Sequence, residues 1–375
     1  MLVWLDESLE KALGTVSTPI GAGFSAIFQV VYRGEHLVLG SRTLLQKLAN
    51  DPGIAAHERH LARSLAAKLS QIALLERGFN QRISVVHDNG PALQRTANGW
   101  RIQLVEVGKR GIKPTVLLGE DISDVQLYVE AARHYIISQG SQQVLAPRAD
   151  LRGAGGKGNV WRAFAVTATK THDWCLCITD SDKLTPLCKS SPLTRHIDSV
   201  VANHQHSSIG QHYVLSVREI ENIIPLAFVD SALENTEAEP NWNILVRLRA
   251  TPLSILHHAD LKFGTSLASI RKLDIKSPQR AIWDAEISRL SNISTVSGQC
   301  NKKICPKDQA KTATCSCFVT PAIAEKLAEK VYAHIEKQGQ HQSYKQIASD
   351  PNKNAWLHLG QQVFEWTCGH SMKFT

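Results

Sequence analysis

The chain has 375 residues, of which 43% are hydrophobic and 20% are charged. This composition is typical of packed globular domains, and it excludes a disordered chain, a collagen-like chain and a charged coiled coil. At roughly 100–200 residues per domain, the length predicts two or three structural units. The net charge of +8 permits a polyanionic partner such as nucleic acid but does not establish one.

The sequence predicts a cytoplasmic protein that does not enter a membrane. No apolar run reaches the roughly 18 residues that a membrane span needs. The acidic residues Asp6 and Glu7 follow the first residues directly, unlike the basic and then apolar start of a secretory signal. We therefore expect the eight cysteines to be reduced thiols or metal ligands rather than disulfides.

Residues 1–112 predict a mixed α+β region that serves as a scaffold or docking surface. A short helix is expected over residues 2–13 and a hairpin with a glycine turn over residues 28–39. A longer helix is expected over residues 54–77, because the apolar residues recur at helical spacing. A half-buried strand is indicated by alternating apolar residues, namely Trp100, Ile102 and Leu104.

Residues 113–235 predict a parallel sheet, because short apolar runs alternate there with helical stretches. The expected strands are residues 115–118, 143–146, 174–178 and 213–217. The expected helices are residues 125–137, 160–168 and 193–201. The fold class is therefore α/β, with a parallel four-stranded sheet and flanking helices.

Residues 236–375 predict a mostly helical C-terminal region. The expected helices are residues 259–273, 278–290 and 322–335. Between the last two lies a segment rich in cysteine and lysine. Four thiols in this segment define a candidate structural Zn²⁺ site, namely Cys300, Cys305, Cys315 and Cys317. The alternative is that these thiols remain reduced and unligated.

Acidic residues follow three of the predicted parallel strands. Glu120 follows the first strand, Asp180 and Asp182 follow the third, and an Arg-Glu-Ile-Glu-Asn segment follows the fourth. The carboxyl ends of parallel strands meet at one edge of a sheet, so we expect these groups to converge. Crowded carboxylates need a cation, and hard oxygen ligands suit Mg²⁺ or Mn²⁺. Such a site can polarise a phosphodiester and activate water, and Lys183 could offset the developing charge.

Residues 113–235 resemble the TOPRIM domain, the metal-binding fold shared by topoisomerases, bacterial primases and the overcoming-lysogenization-defect (OLD) nucleases. The resemblance rests on Glu120, on the loop around Gly155 and Gly156, and on Asp180-Ser181-Asp182. The Asp-Ser-Asp-Lys form and the later Arg-Glu-Ile-Glu-Asn most resemble stand-alone OLD-like nucleases, which are often effectors of phage-defence systems.

The resemblance implies a divalent-metal-dependent nuclease that hydrolyses phosphodiester bonds of DNA or RNA. It implies Glu120, Asp180 and Asp182 as metal ligands and Lys183 as a further catalytic residue. Additional candidate ligands are Asp124, Glu219 and Glu221. The implied partners are nucleic acid, a separate ATPase subunit and a second copy of the chain.

Two departures from the family pattern bear on this interpretation. The family commonly has a glutamate before the glycine, whereas this chain has Gly119-Glu120, with Leu118 at the expected position of the glutamate. A non-catalytic subunit with a decayed site, which binds nucleic acid or a partner, is therefore the alternative. The chain also lacks a Gly-x4-Gly-Lys-Ser/Thr motif, so an ATP-driven gate would require the partner ATPase.

The segment from Gly153 to Gly158 matches the pattern Gly-x-Gly-x-x-Gly. In the nuclease interpretation, backbone amides near Gly155 and Gly156 approach a phosphate and Lys157 adds charge. The same pattern also occurs in dinucleotide-binding enzymes, which is a third hypothesis. A dinucleotide-binding fold places the loop after its first strand, whereas here an earlier strand and helix precede it.

Overall fold

The computed structural model describes residues 1–14, 17–72, 79–170, 173–203, 209–248, 255–266, 269–270, 272–291 and 318–370. The chain forms two compact units. The first comprises Met1–Cys177, Ile197–His212 and Leu357–Thr375, and the second comprises Ile178–His196 and Tyr213–Trp356. Each unit takes segments that are distant in sequence, so the units differ from the three consecutive regions 1–112, 113–235 and 236–375 that the sequence predicts.

The N-terminal part of the first unit contains a five-stranded sheet with the order β2-β1-β3-β5-β4. All neighbouring pairs are parallel except β4 with β5, which is antiparallel. The strands are β1 (Leu2–Leu5), β2 (Leu37–Gly40), β3 (Arg82–Val86), β4 (Leu93–Thr96) and β5 (Gly99–Gln103). The helices are α1 (Thr18–Arg33), α2 (Arg42–Asn50), α3 (Ala56–Ile72) and α4 (Leu104–Arg110).

Two sequence predictions in this sheet are wrong, and both errors come from buried segments. The sequence predicts a helix over residues 2–13, but the structure has β1, a central strand, followed by a 3-10 turn over Glu7–Ala12. The expected hairpin over residues 28–39 is the end of α1 followed by β2. Gly34 has a φ of 68° and ends α1 as a left-handed cap, not as a hairpin turn. The predicted helix over residues 54–77 is confirmed for α3.

The first unit contributes to a second sheet, which has four parallel strands in the order β10-β9-β6-β8. This sheet confirms the predicted α/β class. The strands are β6 (Thr115–Gly119), β8 (Ala149–Gly153), β9 (Cys175–Thr179) and β10 (Gly210–Val214). The accompanying helices are α5 (Ile122–Ser138), α6 (Lys157–Ala165) and α7 (Pro192–Asn203).

The expected second strand of this sheet is displaced. The apolar run over residues 143–146 leads into β7 (Leu145–Pro147), which pairs antiparallel with β13 (Cys368–His370) in a separate two-stranded sheet. The parallel neighbour of β6 is β8, an edge strand with mostly exposed residues. An exposed edge strand has no continuous apolar run, so the sequence pattern did not show it. The fourth strand also begins three residues earlier than the expected 213–217.

The second unit is mainly helical over its described residues. Its helices include α8 (Leu226–Leu233), α9 (Glu239–Leu248), α10 (Pro278–Ser291), α11 (Leu327–Gln338) and α12 (Gln340–Gln346), and α13 (Lys353–Thr367) begins in it. The expected helix over residues 259–273 is wrong for residues 259–266, where turns and the short strand β11 (Thr265–Ser266) lie. Residues 269–270 are helical, and residues 267, 268 and 271 lie outside the described residues. β11 pairs with β12 (Phe318–Thr320). No helix in the described ranges combines the length and the apolar character that crossing a membrane requires.

Candidate acidic site

The loop that follows β9 is fixed by hydrogen bonds to the segment that follows β10. Asp180 and Ser181 are buried, with exposed fractions of 5% and 1%. The Ser181 hydroxyl donates to the carbonyl of Val217 at 2.6 Å. The peptide N–H groups of Ser181 and Asp182 both donate to the carbonyl of Arg218, at 3.1 and 3.2 Å. The Asp180-x-Asp182 pair therefore lies in a loop whose backbone is held in place within the second unit.

Asp182 adopts a left-handed backbone conformation, with a φ of 55°. This conformation costs a non-glycine residue roughly 1 kcal/mol, although aspartate tolerates it better than most side chains. The cost is offset by the two hydrogen bonds to the Arg218 carbonyl. Unusual backbone conformations that the surrounding structure enforces are frequent at functional sites. The loop after β9 is therefore a candidate functional site.

The Glu219 segment is equally well fixed. Glu219 caps a 3-10 turn over Ile220–Asn222, and its backbone N–H donates to the Asn222 Oδ1 at 2.8 Å. The amide of Asn222 donates to the carbonyls of Leu256 and Ala259, at 2.6 and 3.0 Å. Asn222 has no exposed surface, so these bonds lock the turn against the following loop.

Glu219 lies among charged groups in the interior of the second unit. Its exposed fraction is 5%, and its Oε2 accepts no hydrogen bond from the described residues. Burial, followed by the charges of Glu221 and Asp260, raises the pKa of Glu219 from 4.5 to about 7, against the opposing effect of Arg218 and Lys262. Glu219 therefore gains and loses a proton near neutral pH, as a general acid or base must.

The charges around Glu219 form two ion pairs. The Nζ of Lys262 lies 3.1 Å from Oε1 of Glu221, whose side chain is fully buried. The Nη2 of Arg218 lies 3.2 Å from Oδ2 of Asp260. Sequence reasoning missed Asp260 and Lys262, because the segment that carries them was expected to be a helix. Arg218 is the first residue of the Arg-Glu-Ile-Glu-Asn segment, but nothing in the sequence assigns it a role.

Glu120 lies in the first unit, next to the glycine loop. Glu120 is 5% exposed, and its carbonyl accepts a hydrogen bond from the Gly156 N–H at 3.0 Å. The Ala154 N–H donates to the Gly119 carbonyl at the same distance. The structure thus brings together the ends of β6 and β8, as parallel strands predict. Asp124 lies in the first turn of α5 and is 4% exposed.

The glycines of this loop have different structural reasons. Gly155 and Gly156 have φ values of 72° and 106°, and a Cβ atom at either position would meet nothing within 4 Å. They are required for the backbone conformation, and they leave open space before α6. A Cβ at Gly153 would instead lie 2.5 Å from the backbone nitrogen of Ile122, so this glycine permits close packing. Lys157, at the start of α6, is exposed.

The donor atoms of Asp180, Asp182 and Glu219 suit a hard cation, and the buried Oε2 of Glu219 has acceptor capacity for one. Across the described ranges, however, no three His, Cys, Asp or Glu side chains are grouped so that they could hold a metal ion.

The candidate zinc ligands Cys300, Cys305, Cys315 and Cys317 lie outside the described residues. Cys368 is buried in β13, and burial raises its pKa to about 12. A neutral thiol is a poor zinc ligand. Cys175 and Cys177 lie in β9, and both are buried in the core.

Comparisons with protein-family models, with curated proteins and with solved structures found no match for this chain.

Proposed function

We propose that this protein is a divalent-metal-dependent nuclease that hydrolyses phosphodiester bonds of DNA or RNA. The observation that carries the proposal is the fixed loop after β9. Its two aspartates lie on a backbone that the Arg218 carbonyl holds in an unusual conformation. Asp180 and Asp182 would hold Mg²⁺ or Mn²⁺, which when bound polarises a phosphodiester and lowers the pKa of a water molecule.

The residues around this loop have roles that follow from their surroundings. Glu219 could accept a proton from water, because its pKa lies near neutral pH. Lys183 follows Asp182 directly, and its backbone carbonyl pairs with Nδ1 of His258 at 3.2 Å. The Lys183 ammonium, carried on this fixed loop, would offset negative charge on a reacting phosphate.

The glycine loop and Glu120 form the part of the proposal that lies in the first unit. Gly155 and Gly156 leave space in which backbone amides can approach a phosphate, and Lys157 adds a positive charge at the surface. Glu120 remains the third predicted metal ligand. The role of an antiphage effector that acts with a partner ATPase rests on the family resemblance alone.

A non-catalytic binding subunit is the second candidate function. It is favoured by the absence, over the described residues, of a ready group of three metal-ligating side chains. It is also favoured by the Lys262–Glu221 ion pair, in which a protein cation already neutralises a predicted ligand. Such a subunit would bind nucleic acid or a partner without cleaving phosphodiester bonds.

The deciding experiment measures cleavage of plasmid DNA, single-stranded DNA and tRNA with Mn²⁺ and with EDTA. The variants are the double substitution Asp180→Asn, Asp182→Asn and the control Asp284→Asn, which removes a half-exposed carboxylate that pairs with Arg280. We expect metal-dependent cleavage by the wild type and the control, and none by the folded double variant. Full activity in that double variant would refute the assignment, and binding without cleavage by the wild type would favour the second candidate.

A further inference from the structure

The side chain of Arg218 has no role in the proposed reaction, yet it contacts Asp182, Asp260 and Glu219. We infer that Arg218 is a positioning residue: its guanidinium clamps the loop that carries Asp180 and Asp182 and so sets the affinity of that loop for a divalent cation. The inference rests on the proposed function and adds to it a residue that acts through others.

The backbone of Arg218 joins the loop after β9 to the loop around His257. Its carbonyl accepts hydrogen bonds from Ser181 and Asp182, as described above, and its N–H donates to the His257 carbonyl at 2.8 Å. These contacts do not depend on the side chain. They place the Cα atom of Arg218 between the loop after β9 and the loop around His257.

The guanidinium adds side-chain contacts to the loop after β9 and to the loop that carries Asp260. Its Nη1 donates to the carbonyl of Asp182 at 3.5 Å, and its Nη2 donates to Oδ2 of Asp260 at 3.2 Å. Its Nε lies 3.6 Å from Oε1 of Glu219. The side chain is only 16% exposed, so these contacts form in surroundings that screen charge weakly. A planar fork that reaches three groups at once is a property of arginine, and the single ammonium of lysine cannot reproduce it.

Two effects of this guanidinium on cation binding have opposite signs. As a positive charge near carboxylates, it weakens the attraction of any cation through Coulomb repulsion. As a clamp, it adds a hydrogen bond to the Asp182 carbonyl beside the backbone bonds that hold the left-handed conformation, and it lowers the cost of ordering the loop when a cation binds. Outer partners that orient metal ligands typically contribute 10–100-fold to metal affinity or activity. We infer that the clamp outweighs the repulsion.

The test measures Mn²⁺ affinity by calorimetry on the full chain, without nucleic acid. The variants are Arg218→Lys, Arg218→Ala and the control Arg195→Ala, which removes an exposed arginine of the same unit. We expect both Arg218 variants to bind Mn²⁺ about 10–100-fold more weakly, whereas the control binds like the wild type. Unchanged or tighter binding by Arg218→Ala would overturn the inference, since repulsion would then dominate.

Two further measurements separate a clamp from a general loss of stability. Added guanidinium should restore Mn²⁺ binding to Arg218→Ala, whereas it should not restore a misfolded chain. Hydrogen exchange of the Ser181 and Asp182 amides should accelerate in that variant without added metal. If Arg218→Ala does not fold, Arg218→Lys and Asp260→Ala, which removes the acceptor of Nη2, provide the same comparison.

The outcomes also distinguish this inference from the function on which it rests. A wild-type chain that neither binds Mn²⁺ nor cleaves nucleic acid refutes the proposed nuclease. In that case the exchange measurement still decides whether Arg218 holds the loop. A wild type that binds Mn²⁺, together with Arg218 variants that bind equally well, refutes the inference alone.

Discussion

The ammonium of Lys262 lies 3.1 Å from the carboxylate of Glu221, whose side chain has no exposed surface. An ionised carboxylate is very costly to bury unless a cation accompanies it. The Lys262 side chain is 23% exposed, so it extends from the protein surface to the buried carboxylate. The pair connects the turn after β10 to the loop before β11, and it neutralises one charge of the acidic site.

Removal of this cation should therefore destabilise the protein. We expect Lys262→Met to lower the free energy of unfolding by about 2–3 kcal/mol, less than the roughly 3–5 kcal/mol for a fully buried pair, because Lys262 is partly exposed. Urea unfolding at pH 7 gives the value, and Lys276→Met, at an exposed lysine, is the control. A double variant with Glu221→Gln should recover part of the loss. A loss no greater than that of Lys276→Met would show that the pair contributes little.

The raised pKa of Glu219 predicts a pH dependence of stability. Because its pKa rises from 4.5 to about 7, the folded chain binds a proton more tightly than the unfolded chain does. The contribution of Glu219 is therefore fully present below about pH 4.5 and is lost as the pH rises through about 7. The size is about 1–3 kcal/mol across this window.

The substitution Glu219→Gln should flatten this dependence, since glutamine does not ionise. Its side-chain carbonyl can still cap the turn over Ile220–Asn222, so the fold should persist. Chemical unfolding of both proteins in EDTA, from pH 5 to pH 8, measures the difference. The free energy of unfolding of the wild type should fall relative to that of Glu219→Gln as the pH rises. Parallel curves for the two proteins would contradict the assigned pKa.

Two glycines near α6 make a matched pair. A Cβ at Gly153 would lie 2.5 Å from the backbone nitrogen of Ile122, and backbone atoms cannot move aside cheaply. Gly158 has open space within 4 Å and lies inside α6, where alanine favours the helix. We expect Gly153→Ala to destabilise by about 1–3 kcal/mol and Gly158→Ala to stabilise by about 0.5–1 kcal/mol. Thermal unfolding gives both values, and equal shifts would show that β8 and α5 do not pack as closely as described.

The sequence could predict the parallel sheet because its inner strands are continuous apolar runs. β6 and β9 are buried along their whole length, so each appears in the sequence as a continuous, mainly apolar run. β8 could not be predicted, because an exposed edge strand such as Ala149–Gly153 needs no apolar face. The wrong prediction of a hairpin that starts at Phe28 has a different cause. The buried face of a helix can carry the same β-branched residues as a strand, so the end of α1 resembled a strand in the sequence.

The site shows the same division between local and distant contacts. Asp180, Asp182 and Glu219 could be found from the sequence, because each lies a few residues at most beyond the end of a strand. Asp260 and Lys262 could not, because their contacts with Arg218 and Glu221 join residues that are about 40 positions apart. Only the folded chain brings these groups together, and their effect on the pKa of Glu219 arises from that proximity.

If the chain binds nucleic acid as proposed, its positive surplus predicts how the affinity depends on salt. Each lysine that contacts a phosphate releases counterions on binding, so the affinity falls as salt rises. If the glycine loop approaches a phosphate, then Lys157→Ala should weaken binding to all sequences and reduce the slope of log affinity against log salt by about 1. Fluorescence anisotropy with single-stranded and duplex DNA measures both quantities. Lys11→Ala removes an exposed lysine from the Glu7–Ala12 turn and should leave the slope unchanged. An identical slope for both variants would place the phosphate contacts elsewhere, and an affinity that does not respond to salt would contradict nucleic-acid binding itself.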